Sequence, residues 1–471
     1  MPDFRILDKD LDRLSNVQSA RLHSAGPVVR LGIAVIFVAL AALALSGGGP
    51  PSLAAPGVLI ATAAAAGAFL ALSIGANDVA NALGPAVGAG ALPIGAGLAA
   101  VALMEVAGAV LAGSPVSQTL TQGILPAERM MTGAQPGTVM LAAMLAAACW
   151  ITLATWAGAP VSTTHAIVGG IAGAGLALFG PGALNWPGIA RIALGWVGTP
   201  IVSAVLAASV LAVLRAKVYR AADPRAAALR WMPWVVAATT GLLLLYALSV
   251  LPLPDWAVLA LGAGGMGIAL WDTRRRLAAP PDDGLSNAKQ LYRLFNPALA
   301  VSALLMGFAH GANDSANIAG PLSIVAQAGA LGSAGALSPW LLLLAGLGIA
   351  LGAALFGRRL VHMVGSRITR LSPVRALCVS LATGVTVLTA SHLGMPVSTT
   401  HIAVGGVFGV GFYREWEERR HHQARLAPLP AEERRRRRLV RRGHVVRTLA
   451  AWVVTVPIVA PLAALIALLI G

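Results

Sequence analysis

The chain has 471 residues, 57% of them hydrophobic and only 11% charged, with a mean hydropathy of +0.77 and a formal net charge of +16. Soluble domains carry about 25% charged residues, so a chain this long at under half that density lacks the charged surface that water demands and reads as a membrane protein. The basic excess lies in short segments between apolar runs, which argues against nucleic-acid binding and fits the cytoplasmic loops of a polytopic protein.

In chain order, residues 1–27 form an arm carrying Arg5, Lys9, Arg13 and Arg21, expected in the cytoplasm with Arg30 just beyond it. The first apolar run, 28–46, follows a leader too long for a simple signal peptide and reads as an extra span within 28–56. Apolar windows near 57–74, 93–113, 137–157, 160–180 and 188–214 make a first unit, 57–214. A linker, 215–296, holds two spans (232–250 and 256–271), the basic segment Arg215 to Arg230, and Arg274, Arg275 and Arg276 before the soft Pro280-Pro281-Asp282-Asp283-Gly284 stretch. Windows near 297–312, 337–357, 376–394, 396–413 and 448–470 make a second unit, 297–471. Its basic segments hold Arg358, Arg359, Arg367, Arg370 and Arg375, then the loop 414–447 with consecutive arginines Arg434 to Arg438, a face suited to water or to anionic lipid headgroups. Spans need roughly 20 residues each, which gives about 12–13 membrane segments. The stretches 75–92, 160–180, 311–335 and 396–413 are short or glycine-interrupted and are expected to be re-entrant or broken helices. Cys149 and Cys378 sit in apolar segments away from any metal-ligand spacing and read as buried small hydrophobes.

An internal repeat dominates the sequence. Gly75-Ala76-Asn77-Asp78-Val79-Ala80-Asn81 returns as Gly311-Ala312-Asn313-Asp314-Ser315-Ala316-Asn317, and Pro160-Val161-Ser162-Thr163-Thr164-His165 returns as Pro396-Val397-Ser398-Thr399-Thr400-His401. Asn77 and Asn313 stand 236 residues apart, and so do Pro160 and Pro396. Each unit has about five spans, an odd number, so the repeat is expected to be inverted in the membrane. Charge agrees: the segment after Gly113 holds only Glu128 and Arg129, whereas its counterpart after Gly357 is arginine-rich. The predicted fold is therefore an all-α polytopic protein of two inverted repeats, a common plan of secondary transporters.

Asn77, Asp78 and Asn81 fall within one helical turn, as do Asn313, Asp314 and Asn317. Carboxylates in apolar sequence are costly unless paired, no lysine is near, and oxygen ligands suit a hard cation. The alternative is hydrogen bonding between helices. Ser162, Thr163 and Thr164, like Ser398, Thr399 and Thr400, place hydroxyls after a proline, where they can cap a helix or, with its free N–H groups, hold an oxyanion. Glu105, inside an apolar span, suits a proton site, a cation ligand or a hydrogen-bonded acid. His165 and His401 read as orienting groups, His310 as packing, and Arg191 as a side chain snorkelling from a span end. There is no Walker A sequence, serine-hydrolase elbow or zinc spacing, so neither ATP hydrolysis nor an enzyme is indicated, and no cofactor is implied.

Both copies of Gly-Ala-Asn-Asp-x-Ala-Asn and of Pro-Val-Ser-Thr-Thr-His resemble the signature of the inorganic phosphate transporter (PiT) family. Gly394-Met395-Pro396, Val364 to Thr369, and Glu105 with Gly108 are similar to its pattern as well. The resemblance implies an inverted-repeat membrane protein, of a bacterial inner membrane, that moves inorganic phosphate with Na+ or H+ by alternating access. It implies a cation site at Asn77, Asp78, Asn313, Asp314 and Glu105, with Na+ at Asp78 and Asp314, and a phosphate site at Ser162, Thr163, Thr164, Ser398, Thr399, Thr400, Asn81 and Asn317. Members of the family also form oligomers. Glu105 departs from two-fold symmetry, because the register from Gly108 to Gly352 sets Ile349 opposite it. Sulfate, or a neutral metal complex of phosphate, suits the same motifs; a phosphate-responsive channel or receptor is the alternative from another class.

Overall fold

A computed structural model describes residues 26–45, 57–126, 135–278, 286–329, 338–365, 371–426 and 442–471. The arm residues Arg5 to Arg21, the pair Glu128 and Arg129, the Pro280 to Gly284 stretch, Arg367 and Arg370, and the run Arg434 to Arg438 lie outside them. Among the described residues the regular structure is entirely helical. Eleven helices are long and apolar enough to cross a membrane, and an apolar twelfth, Thr163–Phe179, is shorter.

Helix α1 (Gly26–Leu45) lies at the periphery, with only 11% of its apolar window buried. Helix α2 (Gly57–Gly88) runs unbroken through the 57–74 window and most of the 75–92 stretch, so the first Asn-Asp motif lies inside one long helix rather than a re-entrant piece. Then come α3 (Ile94–Ala112) and a short α4 (Ser114–Gly123), absent from the sequence reading, with a proline in its first turn as helix starts favour. A hairpin of α5 (Gln135–Trp156) and α6 (Thr163–Phe179) and the long α7 (Trp186–Leu214) complete the first half. Two linking spans, α8 (Pro224–Ser249) and α9 (Asp255–Leu277), and a short α10 (Asn287–Arg293) lead to the second half.

There the same order returns as α11 (Asn296–Asp314), α12 (Ala316–Gly329), α13 (Pro339–Phe356), α14 (Arg358–Met363), α15 (Pro373–His392), α16 (Thr399–Leu426) and α17 (Arg442–Ile470). The break expected near 311–335 is a single residue, Ser315, between α11 and α12. Segments 160–180 and 396–413 hold half-helices, α6 and the start of α16, each entered from a non-helical stretch. Cys378 is buried, but Cys149 is exposed, which corrects the sequence reading: α5 turns one face outward, and Cys149 is on it.

The halves are interleaved rather than side by side. Helix α2 packs on α13 of the other half, and α11 packs on α3. Glycines bring these backbones together. A Cβ on Gly75 would stand 1.9 Å from Ile349 O, and one on Gly311 would stand 2.0 Å from Glu105 O. The reciprocal pairs are Gly352 against Leu72 O and Gly108 against Phe308 O. Small residues are the means by which membrane helices approach this closely. Glu105 and Ile349 thus occupy equivalent crossings, as the register indicated. The outer helices exchange likewise: α6 packs on α17, and α16 on α7.

Substituting Gly311→Val sets a side chain against backbone that cannot swing aside. Overpacking costs about 1–3 kcal/mol where neighbours can adjust, so the loss here is expected at or above the upper end. The check is the thermal unfolding midpoint in detergent against Gly95→Val, where a Cβ meets nothing within 4 Å.

Candidate functional site

The four repeated motifs converge. Each half-helix is capped by its serine: Ser162 Oγ accepts from His165 N at 3.1 Å and Ser398 Oγ from His401 N at 3.3 Å. Capping satisfies one of the four N–H groups that a helix start leaves without helical partners. The non-helical tips then lock together reciprocally. Thr164 Oγ1 donates to Val397 O at 2.9 Å, and Thr400 Oγ1 lies 3.4 Å from Val161 O. The rings of His165 and His401 stand edge to face, 4.4 Å apart, with Trp196 against His165.

Asn77 and Asn313 hold the tips to the long helices. Asn77 Nδ2 donates to Thr155 Oγ1 at 2.8 Å and its Oδ1 accepts from Val161 N; Asn313 repeats this with Ser391 Oγ at 3.1 Å and Val397 N. One lone pair of each Oδ1 stays uncommitted. Within the long helices, Asn81 and Asn317 each donate to the aspartate three residues earlier. Asn81 also donates to Thr400 at 2.8 Å, and Thr163 Oγ1 donates to Asp78 at 2.9 Å. None of these thirteen expected residues, Glu105 included, is more than 8% exposed.

The two-fold fails at one place. His310, read from sequence as packing, lies at the centre. Its Nδ1 is 2.8 Å from Glu105 Oε1. Its Nε2 is 2.8 Å from Asp314 Oδ2, at ion-pair distance without hydrogen-bond alignment, and 4.0 Å from Asp78 Oδ2. Asp78, His310 and Asp314 offer ligand atoms all within 4.8 Å of one another. In the first half Ile74 stands where His310 does, and this break in a well-kept repeat was the signal available in the sequence.

The asymmetry leaves unpartnered atoms. Where Thr163 bonds Asp78, the equivalent Thr399 Oγ1 has no partner among the described residues; neither have Ser315 Oγ, Asn317 Oδ1 or Glu105 Oε2. A buried polar group left unsatisfied costs about 1–3 kcal/mol, and the protein itself supplies these four atoms with no hydrogen-bond partner. Ser315 also escaped the sequence reading; its counterpart is Val79.

Comparison with known proteins identifies the family. Residues 74–463 match the model of the phosphate transporter family, a span that contains all four motifs. The chain belongs to the phosphate transporter family. A Helicobacter pylori (strain J99) protein that carries the name of a phosphate permease is 37% identical over 412 residues, covering 84% of this chain and 77% of its own length. The Arabidopsis thaliana protein "Inorganic phosphate transporter 2-1, chloroplastic" is 34% identical over 433 residues, 84% of this chain and 70% of its own. A solved structure described as "The sodium-dependent phosphate transporter" superposes with a TM-score of 0.77 at 31% identity, covering 87% of this chain and 98% of that one.

His310→Leu strands two carboxylates in the interior. Breaking a buried pair costs about 3–5 kcal/mol, so a clear fall in the thermal midpoint is expected. A double-mutant cycle with Glu105→Leu checks the partnership: the double variant recovers stability relative to His310→Leu alone.

Proposed function

We propose that this protein is a secondary transporter that moves inorganic phosphate across a membrane together with sodium, alternating access to the central site between its two repeats. The observation that carries the reading is the charge of the site. Asp78, Asp314 and Glu105 are buried together, and among the described residues only His310, with no lysine or arginine, faces them. With its three carboxyl groups ionised, the site is negative in either state of the histidine. A site like that repels phosphate when empty and accepts it once cations are bound. Hydroxyls and amides of Ser162 to Thr164 and Ser398 to Thr400, with Asn81 and Asn317, then hold the phosphate through neutral donors at two helix starts. The uncommitted oxygens of Asn77 and Asn313 lie on the cation side of this assignment.

Sodium is preferred to the proton because the solved relative is described as sodium-dependent. The repeats take opposite senses in the membrane on this reading. Basic segments at Arg215 to Arg230, Arg358 to Arg375 and Arg414 onward place one face in the cytoplasm. The α5–α6 hairpin then enters from outside and the α15–α16 hairpin from inside. Each hairpin tip meets the other at mid-membrane, the geometry through which inverted halves alternate.

Uptake of labelled phosphate into proteoliposomes, with sodium and proton gradients imposed separately and sulfate as competitor, tests the reading. Saturable uptake driven by sodium and indifferent to sulfate is expected; uptake driven by the proton gradient alone reassigns the cation, and competition by sulfate reassigns the anion. Asp78→Asn and Asp314→Asn should each abolish sodium-driven uptake while the protein still inserts and elutes as a folded species in detergent. Thr399→Ala should raise the apparent KM for phosphate about tenfold, the loss of one charge-assisted hydrogen bond, with little change in maximal rate.

A further inference from the structure

A cleft of about 1090 Å³ opens between α4, α7 and α15, and none of the clustered carboxylates lines it. Its floor is the tip of the second hairpin, Leu393 to Pro396. Gly394 turns there with φ +66°, against Pro115 O and Thr119 on α4, and Met395 packs on Gly195 of α7. Immediately behind the tip, Val397 N bonds Asn313 Oδ1 and Thr399 lies buried with its free hydroxyl. The tip therefore forms a thin wall between cleft and site: Met395, which lines the cleft, also accepts from Asn313 Nδ2 through its carbonyl at 3.2 Å.

Most of the lining is apolar. Its polar side chains include Gln118, Gln122, Asn185, Thr389 and His392, and no aspartate or glutamate is among them. Arg191, expected from sequence only to snorkel, stands on this wall near the start of α7, and no carboxylate pairs with it among the described residues. The position is also repeated. Gly405 meets Pro200 and Gly409 meets Ala204, while Gly169 meets Val456 and Gly173 meets Ala460, which aligns α7 with α17 in register. In that register Arg191, Trp196 and Thr199 correspond to Arg447, Trp452 and Thr455. An arginine is thus placed in the first turns of the last helix of each half.

We propose that this cleft is the outer vestibule of the transporter, in which Arg191 and the neighbouring glutamines collect an oxyanion, free phosphate, ahead of the hairpin tip. The proposal rests on the phosphate-transport reading and adds a residue outside its central site. A basic charge in a low-dielectric cleft raises the local concentration of anions and speeds their capture. Capture at Arg191 also separates two tasks: a permanent cation gathers the anion at the mouth, while neutral donors hold it at the centre, where release must follow. Arg191 is exposed, so a partner charge is not required to keep it folded.

The test is phosphate uptake by wild type, Arg191→Gln and Arg191→Lys in phosphatidylcholine vesicles at two ionic strengths. The glutamine variant is expected to raise the apparent KM about tenfold at low salt, to lose most of the salt dependence, and to keep its maximal rate; the lysine variant recovers most of the loss. An unchanged KM in Arg191→Gln, with saturable uptake by wild type, overturns the vestibule and leaves the transport reading intact. Absence of phosphate uptake by wild type overturns both. Repeating the assay with added anionic lipid separates the two sources of oxyanion: an Arg191 effect seen only with anionic lipid assigns the residue to headgroups and overturns capture of free phosphate.

Discussion

Three acidic groups held away from water with a single imidazole between them are the constraint on which this molecule turns. Born-type desolvation makes a lone buried carboxylate untenable, and continuum arithmetic gives several kcal/mol per ion even after relaxation. Here three carboxylates share one histidine at 0–1% exposure. Everything around them can be understood as bringing oxygens and amide hydrogens to that point: two long helices crossing at mid-length, two half-helices starting there, and two asparagines bracing the tips.

The near-symmetry and its failure divide the labour between the halves. The first aspartate is satisfied internally, by Thr163, Thr400 and Asn81. The second is occupied by His310, and its surroundings keep their hydroxyl and amide oxygens unpartnered. Two copies of one motif are therefore chemically unequal, one hydrogen-bonded within itself and one with unpartnered oxygens. Glu105, without a counterpart in the second half, is the anchor of that inequality, since it holds the imidazole that distinguishes the two.

Much of the architecture was legible because membrane helices announce themselves by length and hydropathy, and because the chain writes its functional motif twice. The Asn-Asp and Ser-Thr-Thr residues came together as the repeat suggested. What escaped follows from the same physics. His310 sits one residue before the repeated string, and a single imidazole in apolar sequence does not reveal that it faces three acids brought in from α2, α3 and its own helix. The role of Asn77 and Asn313 in bracing hairpin tips depends on partners 78 to 84 residues away. Glycine-interrupted sequence suggests a broken segment at 75–92, yet α2 continues through Gly84 and Pro85 to Gly88, because in a membrane neighbouring helices and side chains re-satisfy the backbone groups that such residues free. Cys149 was placed inside because apolar surroundings do not distinguish lipid from protein.

The reciprocal crossings at Gly75, Gly108, Gly311 and Gly352 also fix an order of assembly. The partner of α2 is α13, synthesised some two hundred and fifty residues later, and the partner of α6 is α17, at the far end of the chain. Until those arrive, Asp78 and the first hairpin tip have no second wall, and the first half waits in the bilayer with its polar groups incompletely covered. Long-range pairing of this kind is slow and leaves exposed intermediates. The tight interleaving that makes one central site from two copies is thus also what forbids either copy from maturing alone.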